Sequence, residues 1–323
     1  MEHKKDKDTP VATVIITVYD RTDYYLEAID SVRNQIGFSP EQVEIIVVSN
    51  ISLPIVPEDV VLLTLKQRGI GPKLKLGIER SHSDIIIILE DDDIFSQNKI
   101  KTVTELFKKY PEVNYIHNAQ KPFKKIDLVV QNKDYGGVEW EVIERDSIDT
   151  LSFRNFVKKY WEWSGNLSSC SFRKNVFKGK LVDSQKYINK VGITPDLALP
   201  ILGILSSDKF INVRNPLTYK RQHDNSATKT VFRSMLKDPE ILDIQLIEGL
   251  ATLSLCSGKS KNLERLARAI VTKRMIARYG FHHISLFDLF TVLQYDRASG
   301  NLSMDLRSYI SHILHRRTMQ SEI

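Results

Sequence analysis

Cysteine is scarce in this chain, and long apolar segments are missing. Only Cys170 and Cys256 occur among the 323 residues, so the sequence predicts neither a disulfide framework nor a zinc site with paired ligands. No apolar run approaches the roughly 20 residues that cross a bilayer, and residues 1–9 lack the apolar segment of a signal peptide. We therefore expect a cytoplasmic protein in which residues 1–9 form a disordered lead.

The excess of positive charge is confined to one end of the chain. Residues 258–323 hold 11 Lys and Arg against 5 Asp and Glu, a balance of +6 that equals the net charge of the whole chain. A basic end segment on a neutral body indicates an anionic partner, such as a membrane surface, an acidic subunit face or nucleic acid. A solvated helical surface rich in arginine explains the same charge.

Strands and helices alternate through the first part of the chain, as a parallel sheet requires. Predicted strands cover residues 11–18, 43–48, 60–65 and 84–89. Helices follow the first, third and fourth strands: the first is capped by Thr22 or Asp23, the second begins at Pro72, and the third is capped by Ser96. The continuous apolar runs indicate a sheet that is covered on both faces. Later residues have helical patterns that stop at Gly258 and Gly280. We place a domain boundary near residue 230, between a domain over 10–229 and an all-helical region over 230–323.

Four consecutive acidic residues, Glu90 to Asp93, directly follow the most apolar run of the chain, Ile85 to Leu89. Carboxylates at the end of a buried strand repel one another and lose hydration unless a cation or cationic ligand lies among them. Ligands of open parallel sheets bind at the carboxyl ends of strands, where Thr17 to Arg21 and Ser49-Asn50 also fall. The pattern predicts a site for a charged ligand and a divalent metal.

Two further stretches matter beside the acidic cluster: Thr13 to Arg21 leads into Leu26 to Val32, and Gly69 with Gly77-Ile78 precedes the fourth strand. In this combination the chain resembles the inverting family 2 glycosyltransferases of the GT-A fold, with the first stretch similar to that family's opening strand and first helix and the second to the loop and helix ahead of its metal-binding strand. The resemblance covers about residues 10–228. It implies a Rossmann-like α/β fold with a mixed, mainly parallel sheet flanked by helices, followed here by an all-α C-terminal extension.

This resemblance also implies an activity. The enzyme would be of the hexosyltransferase type and would act in glycan or cell-envelope polysaccharide biosynthesis. It would move a sugar from a nucleotide-diphosphate donor to a saccharide or lipid-linked acceptor.

In this resemblance Glu90, Asp91 and Asp92 correspond to the Asp-X-Asp signature of the family. Asp92 would bind Mg²⁺ or Mn²⁺ that bridges the nucleotide diphosphate, and Glu90 would face the ribose or the metal. Asp91 and Asp93 remain neighbouring candidates, because a register error of one residue would exchange the roles. Solvated acids at a capped strand end are the structural alternative.

The first two strands carry the implied nucleotide contacts. Thr17, Tyr19 and Asp20 resemble the nucleotide-binding end of the first strand, where Tyr19 would pack against the base or belong to the core. The family usually has an Asp-Asp pair after its second strand to hold the base, and this chain has Ser49-Asn50 instead. Asn50 both donates and accepts hydrogen bonds, so it remains able to read a base edge.

Later segments resemble the catalytic and acceptor parts of the family. An inverting transfer needs one side chain to remove the proton of the acceptor hydroxyl, and Asp196 has the expected position, although a Pro-Asp pair also begins helices. Arg221 would neutralise the departing diphosphate, and His223 would bind metal or phosphate unless it is structural. Trp163 and Asn166 would shape the acceptor pocket, while core tryptophans would look the same in sequence.

Other functions fit parts of the pattern. A nucleotidyltransferase would need a glycine-rich basic loop after the first strand, and a dehydrogenase would need a third glycine after Gly69-Ile70-Gly71; the chain has neither. A non-catalytic module that binds a nucleotide sugar or glycan and acts through its basic helical tail remains an alternative. For residues 230–323 we expect peripheral membrane contact at the inner face, a homo-oligomer contact, or packing onto the catalytic domain. No nucleic-acid partner is expected.

Overall fold

A nine-stranded mixed sheet lies at the centre of the protein. The computed structural model describes residues 9–67, 69–124, 137–177, 195–223, 239–280 and 284–299. The strands are β1 (Ala12–Val18), β2 (Val43–Ser49), β3 (Val60–Thr64), β4 (Ile85–Glu90), β5 (Ile94–Phe95), β6 (Tyr115–Phe123), β7 (Trp140–Glu144), β8 (Cys170–Arg173) and β9 (Lys209–Arg221). Their order is β3-β2-β1-β4-β8-β6-β9-β5, and β7 pairs with β9. The predicted fold class is confirmed.

Helices alternate with the strands and then follow them. Those in the described ranges are α1 (Tyr25–Arg33), α2 (Ile70–Arg80), α3 (Lys99–Lys109), α4 (Phe153–Glu162), α5 (Pro195–Leu205), α6 (Pro239–Cys256), α7 (Lys261–Tyr279) and α8 (Leu286–Ser299). Strands β1 to β4 are mutually parallel, as their alternation with helices predicts. Their carboxyl ends therefore share one edge of the sheet.

The central strands are buried on both faces. Every residue of β1 is buried. Along β1 and β4, apolar residues belong alternately to two apolar clusters, because successive side chains of a strand point to opposite faces of the sheet. Ile15 pairs with Ile88 in one cluster, and Val14 pairs with Ile87 in the other. Each fully buried side chain of this size contributes about 1.5–3 kcal/mol, so these strands are the rigid base on which the loops at the carboxyl edge stand.

Three helix starts differ from the predicted ones, and the smallest difference is that of α2, which begins at Ile70 rather than at Pro72. The residue before helix α1 is Tyr24, rather than Thr22 or Asp23, and it forms no side-chain cap. The helix begins later because the segment before it first extends so that Arg21 reaches Asp91. Helix α3 follows Asn98 instead of Ser96. The backbone N–H of Ser96 is engaged with Leu217 of β9, so this residue still belongs to the sheet edge.

The helices near the carboxyl end pack against the domain that carries the sheet. Leu263 and Leu266 of α7 belong to the same apolar cluster as Phe153 and Phe156 of α4. Gly258 and Gly280, the predicted stops, have φ of 70° and 73°. The predicted boundary near residue 230 lies outside the described residues. Among the helices that are described, none is long and apolar enough to cross a membrane.

Candidate functional site

The predicted site residues gather at the carboxyl edge of the sheet. The acidic cluster turns sharply after β4, with the N–H of Asp93 donating to the carbonyl of Glu90 at 3.2 Å. Strand β5 follows at once and pairs antiparallel with β9, Ile94 opposite Tyr219. This pairing brings the end of β9 to the acidic cluster, although the two segments are far apart in the sequence.

The four acids differ in exposure. Asp91 and Asp93 are 3% and 2% exposed, whereas Glu90 is half-buried and the Asp92 side chain retains 15% exposure. Asp93 accepts from the amide of Asn166 at 2.9 Å and from the backbone N–H of Arg221 at 3.0 Å. Burial, and then the charge of Asp92, raise the pKa of Asp93 above its usual range. Solvent therefore reaches Glu90 and Asp92, and the other two acids organise the turn.

Arg21 supplies the nearest positive charge. Its Nε and Nη2 donate to the two carboxylate oxygens of Asp91, both at 2.8 Å, and Nη2 also lies 2.6 Å from Oδ2 of Asp92. Burial raises the pKa of Asp91 to about 6, although the hydrogen bond and charge of Arg21 lower it. Burial alone would lower the pKa of Arg21, but Asp91, Asp92 and Glu90 raise it above its ordinary value. The chain thus contains its own counter-charge for the cluster.

His223 contacts Asp92 from a distant part of the sequence. Its Nε2 lies 2.9 Å from Oδ2 of Asp92, across 131 residues, and its ring packs on Tyr24 with centroids 5.2 Å apart. The other ring nitrogen, Nδ1, is buried and has no hydrogen-bond partner among the described residues. A carboxylate oxygen that faces the Nε2 atom of an imidazole is a donor pair that suits a divalent cation.

Asp92 and His223 are the two described side chains that together suit a metal ion. No group of three or more Asp, Glu, His or Cys side chains that could hold a metal ion occurs within the described part of the chain. A cation held by Asp92 and His223 would need oxygens from phosphate and water to complete its coordination, which is typical of Mg²⁺ and Mn²⁺ at nucleotides.

Arg221 is anchored more deeply than the sequence suggests. Its guanidinium lies 4.4 Å from the ring centroid of Tyr24 and 4.6 Å from that of Phe123. Its Nε donates to the carbonyl of Asp92 at 3.0 Å, and Nη2 pairs with Glu27. Only 6% of its side chain is exposed. These contacts hold the Asp92 backbone in place and leave little of the guanidinium accessible to a ligand.

A second group lies at the ends of β1 and β2. Thr17 is 3% exposed and Tyr19 is 39% exposed. The amide nitrogen of Asn50 donates to Asp20 at 2.6 Å, and the ammonium of Lys73 donates to the amide oxygen of Asn50 at 2.7 Å. The ammonium also lies 4.5 Å from the ring centroid of Tyr19. The nucleotide-binding candidates from the two strands therefore do come together.

Lys73 is the residue that the sequence reasoning missed. It is fully buried in α2, and burial lowers its pKa to about 8 although Asp91 and Asp20 raise it. A helical-spacing signal was available, because Lys73 and Gly77 are four residues apart on one helix face. That face packs so closely on β1 that a Cβ at Gly77 would lie 2.8 Å from Ile15.

The predicted acceptor residues are mostly inside the protein. Trp163 is 4% exposed and packs edge-on against Phe210 with centroids 5.3 Å apart, while Asn166 is 1% exposed and bound to Asp93. Their burial argues against direct contact with an acceptor. Trp161, two residues before Trp163, is 36% exposed. The backbone of Asp196 lies in the first turn of α5, and its side chain is outside the described part of the protein.

Comparison with known proteins adds an independent line of evidence. The model of the family described as Glycosyl transferase family 2 matches residues 13–179. An "Uncharacterized glycosyltransferase" of Rickettsia bellii (strain RML369-C) is 30% identical over 124 residues, 36% of this chain and 17% of that protein. The match thus spans less than a fifth of its length.

Solved structures share the fold at low sequence identity. S. aureus TarS 1-349 in complex with UDP-GlcNAc matches with a TM-score of 0.54 and 12% identity, over 90% of this chain and 80% of that chain. The same protein in complex with UDP gives a TM-score of 0.51 and 11% identity, over 89% and 80% of the two chains. At such identities the likeness establishes the architecture alone.

Proposed function

Because the chain belongs to glycosyl transferase family 2, we propose that it transfers a sugar from a nucleoside-diphosphate donor to a saccharide or lipid-linked acceptor. Transfer would invert the anomeric carbon and depend on Mg²⁺ or Mn²⁺. The observation that carries the proposal is the meeting of Asp92 and His223 at 2.9 Å, 131 residues apart, on the edge where such sheets bind ligands.

The proposed metal ligands are Asp92 and His223. A bound cation would neutralise the negative charge that develops on the departing diphosphate. Asp93 supports this arrangement from inside, because its contacts with Asn166 and the Arg221 backbone fix the turn. Glu90, half-buried beside Asp92, is the proposed contact to the ribose or the metal.

Arg21 is the residue of this chain that would supply positive charge to the diphosphate of the donor. Its Nη2 contacts Oδ2 of Asp92, while Nε and Nη2 hold both oxygens of the buried Asp91. With a cation at Asp92, the guanidinium would keep its two bonds to Asp91 and would present positive charge beside the diphosphate. Arg21 therefore takes the diphosphate role predicted for Arg221, whose charge is committed to Glu27.

Asp196 remains the proposed general base. It would take the proton of the acceptor hydroxyl as the oxygen bonds to the anomeric carbon and the bond to the diphosphate breaks, a single displacement that inverts configuration. The adjacent carbonyl of Leu197 accepts from Tyr160 of α4 at 2.8 Å. Ser164 at the end of that helix bonds back to Tyr160 at 2.8 Å, and Asn166 follows two residues later. This connection ties the start of α5 to the segment that supports Asp93.

For the helical region over 230–323, we favour packing on the proposed catalytic domain over 10–229. Basic side chains of α7 are bound within the helices, as in Lys273 with Asp296 at 2.6 Å and Arg278 with Asp243 at 2.8 Å. Contact with a membrane or second subunit would rest on the exposed apolar residues of α8, such as Phe287 and Phe290. Binding to anionic liposomes at low salt would support the membrane contact, and its absence would remove it.

The test of the proposed activity is release of nucleoside diphosphate from a panel of UDP-, GDP- and dTDP-sugars with Mn²⁺. We expect turnover of at least one donor, its loss on chelation of the metal, and its loss in Asp92→Asn. Asp84→Asn, at the exposed opposite end of the β4 segment, is the matched control and should retain activity. Binding without turnover would favour the non-catalytic module, and neither binding nor turnover would refute the proposal.

A further inference from the structure

Three polar side chains form a relay that ends on an exposed carboxylate. The Lys73 ammonium is anchored by the Val18 carbonyl at 2.6 Å and donates to the amide oxygen of Asn50 at 2.7 Å. The amide nitrogen of Asn50 donates to Oδ1 of Asp20 at 2.6 Å. Lys73 is fully buried, whereas Asp20 is exposed. The relay therefore runs from the core to the surface of the site.

The chemistry of the relay fixes its direction. An ammonium only donates, so the oxygen of Asn50 must face Lys73 and the NH₂ group must face Asp20. One N–H of that NH₂ group is used by Asp20, and the second remains to donate elsewhere. Asp20 also has a φ of 51°, the only positive value of a non-glycine residue in the described ranges. Aspartate adopts this conformation more readily than most residues, and the bond to Asn50 supports it.

The residue before Asn50 does not compete for the same role. Ser49 is fully buried, and its hydroxyl donates to the carbonyl of Ile51 at 2.7 Å. The carboxylate that lies beside the end of β2 is that of Asp20, from the end of β1.

We propose, on the basis of the proposed function, that Asp20 is the carboxylate that recognises the nucleobase and that Asn50 and Lys73 are its positioning residues. A carboxylate that accepts, beside an amide N–H that donates, complements a base edge with a ring N–H next to a carbonyl. Uracil, thymine and guanine have that edge, while cytosine and adenine present an unprotonated ring nitrogen. The exposed Tyr19 ring beside Asp20 offers a surface for base stacking.

The test measures nucleotide binding by calorimetry with Mn²⁺, using the pairs UDP against CDP and GDP against ADP. Within the pair that binds more tightly, the wild-type protein should favour the member with the ring N–H by about tenfold or more, as expected when a hydrogen bond to a charged group is lost. Asp20→Asn should reduce that ratio to near unity. Because Asp20 is exposed, the variant should fold, and Asp23→Asn in the same exposed segment is the matched control.

Two further variants separate positioning from general structure. Lys73→Met, checked for folding by circular dichroism, should lower the ratio without abolishing binding. The exchange Asp20→Asn with Asn50→Asp moves the acid to the end of β2, keeps one carboxylate beside one amide, and should restore most of the ratio. An unchanged ratio in Asp20→Asn, or an exchange variant no better than the single one, would overturn the inference. If no nucleoside diphosphate binds at all, the proposed function itself fails.

Discussion

The contact between Arg21 and Asp92 predicts how the site responds to metal. Oδ2 of Asp92 lies 2.6 Å from Arg21 and 2.9 Å from His223. A cation that binds Oδ2 of Asp92 beside His223 displaces the arginine from this oxygen. Replacing Arg21 by Gln removes that competition, so the affinity of the free protein for Mn²⁺ should rise.

The expected size of the increase follows from the geometry. A charge-assisted hydrogen bond contributes about 1.5–3 kcal/mol, and partial exposure of both side chains, 18% and 15%, places this one at the lower end. About 1.5–2 kcal/mol corresponds to an increase in Mn²⁺ affinity of roughly ten- to thirtyfold. The variant should also be less stable, by about 3 kcal/mol, because Asp91 loses its partner in a buried environment.

The assay is a titration of Mn²⁺ followed by electron paramagnetic resonance of the free ion, without nucleotide. Arg33→Gln, which breaks an ion pair with Asp59 on the exposed surface, is the control and should leave Mn²⁺ binding unchanged. Adding Asp92→Asn to Arg21→Gln should remove the gain. If Arg21→Gln binds Mn²⁺ with an affinity equal to or lower than that of the wild-type protein, Arg21 and Mn²⁺ do not compete for Asp92.

Three further predictions concern stability. The pKa of Lys73, lowered to about 8, means that the folded state binds fewer protons than the unfolded state up to the usual lysine value. Between about pH 8 and 10.5, stability in urea titrations should therefore rise more in the wild-type protein than in Lys73→Met, by an amount on the order of 3 kcal/mol. Parallel pH profiles would contradict it. Gly203→Ala would place a Cβ 2.6 Å from the ring of Tyr115 and should lower the free energy of unfolding by about 1–3 kcal/mol in urea denaturation; a neutral effect would show that the ring moves freely. Asp149 accepts from the first N–H groups of α7, including that of Asn262 at 2.8 Å, so Asp149→Ala should cost about 1–2 kcal/mol in thermal unfolding, and no loss would mean that the helix start is held by other contacts.

The parallel half of the sheet was predictable because its signals are local. The apolar runs of β1 and β4 and the helices between them determine strand order through the rules for parallel crossovers. The position of Glu90 to Asp93 followed directly, since residues after β4 must lie at the carboxyl edge. Strand β8, only four residues long and antiparallel between β4 and β6, has no comparable signal.

The internal partners of the acidic cluster were not predictable, because they depend on contacts between distant segments. Arg21 meets Asp91 across 70 residues, and Arg221 is positioned by the pairing of β5 with β9. The sequence reasoning assumed that four acids required an external cation, whereas Arg21 and the backbone of Arg221 already compensate two of them. Lys73 escaped notice because a lysine in an amphipathic helix is usually solvated.

The most direct test of the central claim is anomalous diffraction from crystals grown with a nucleoside diphosphate and Mn²⁺. The account predicts a manganese peak within bonding distance of Asp92 and His223, with the diphosphate oxygens completing the coordination and Arg21 withdrawn from Asp92 but still bound to Asp91. A nucleotide seated at the carboxyl edge with no manganese at Asp92 would contradict it.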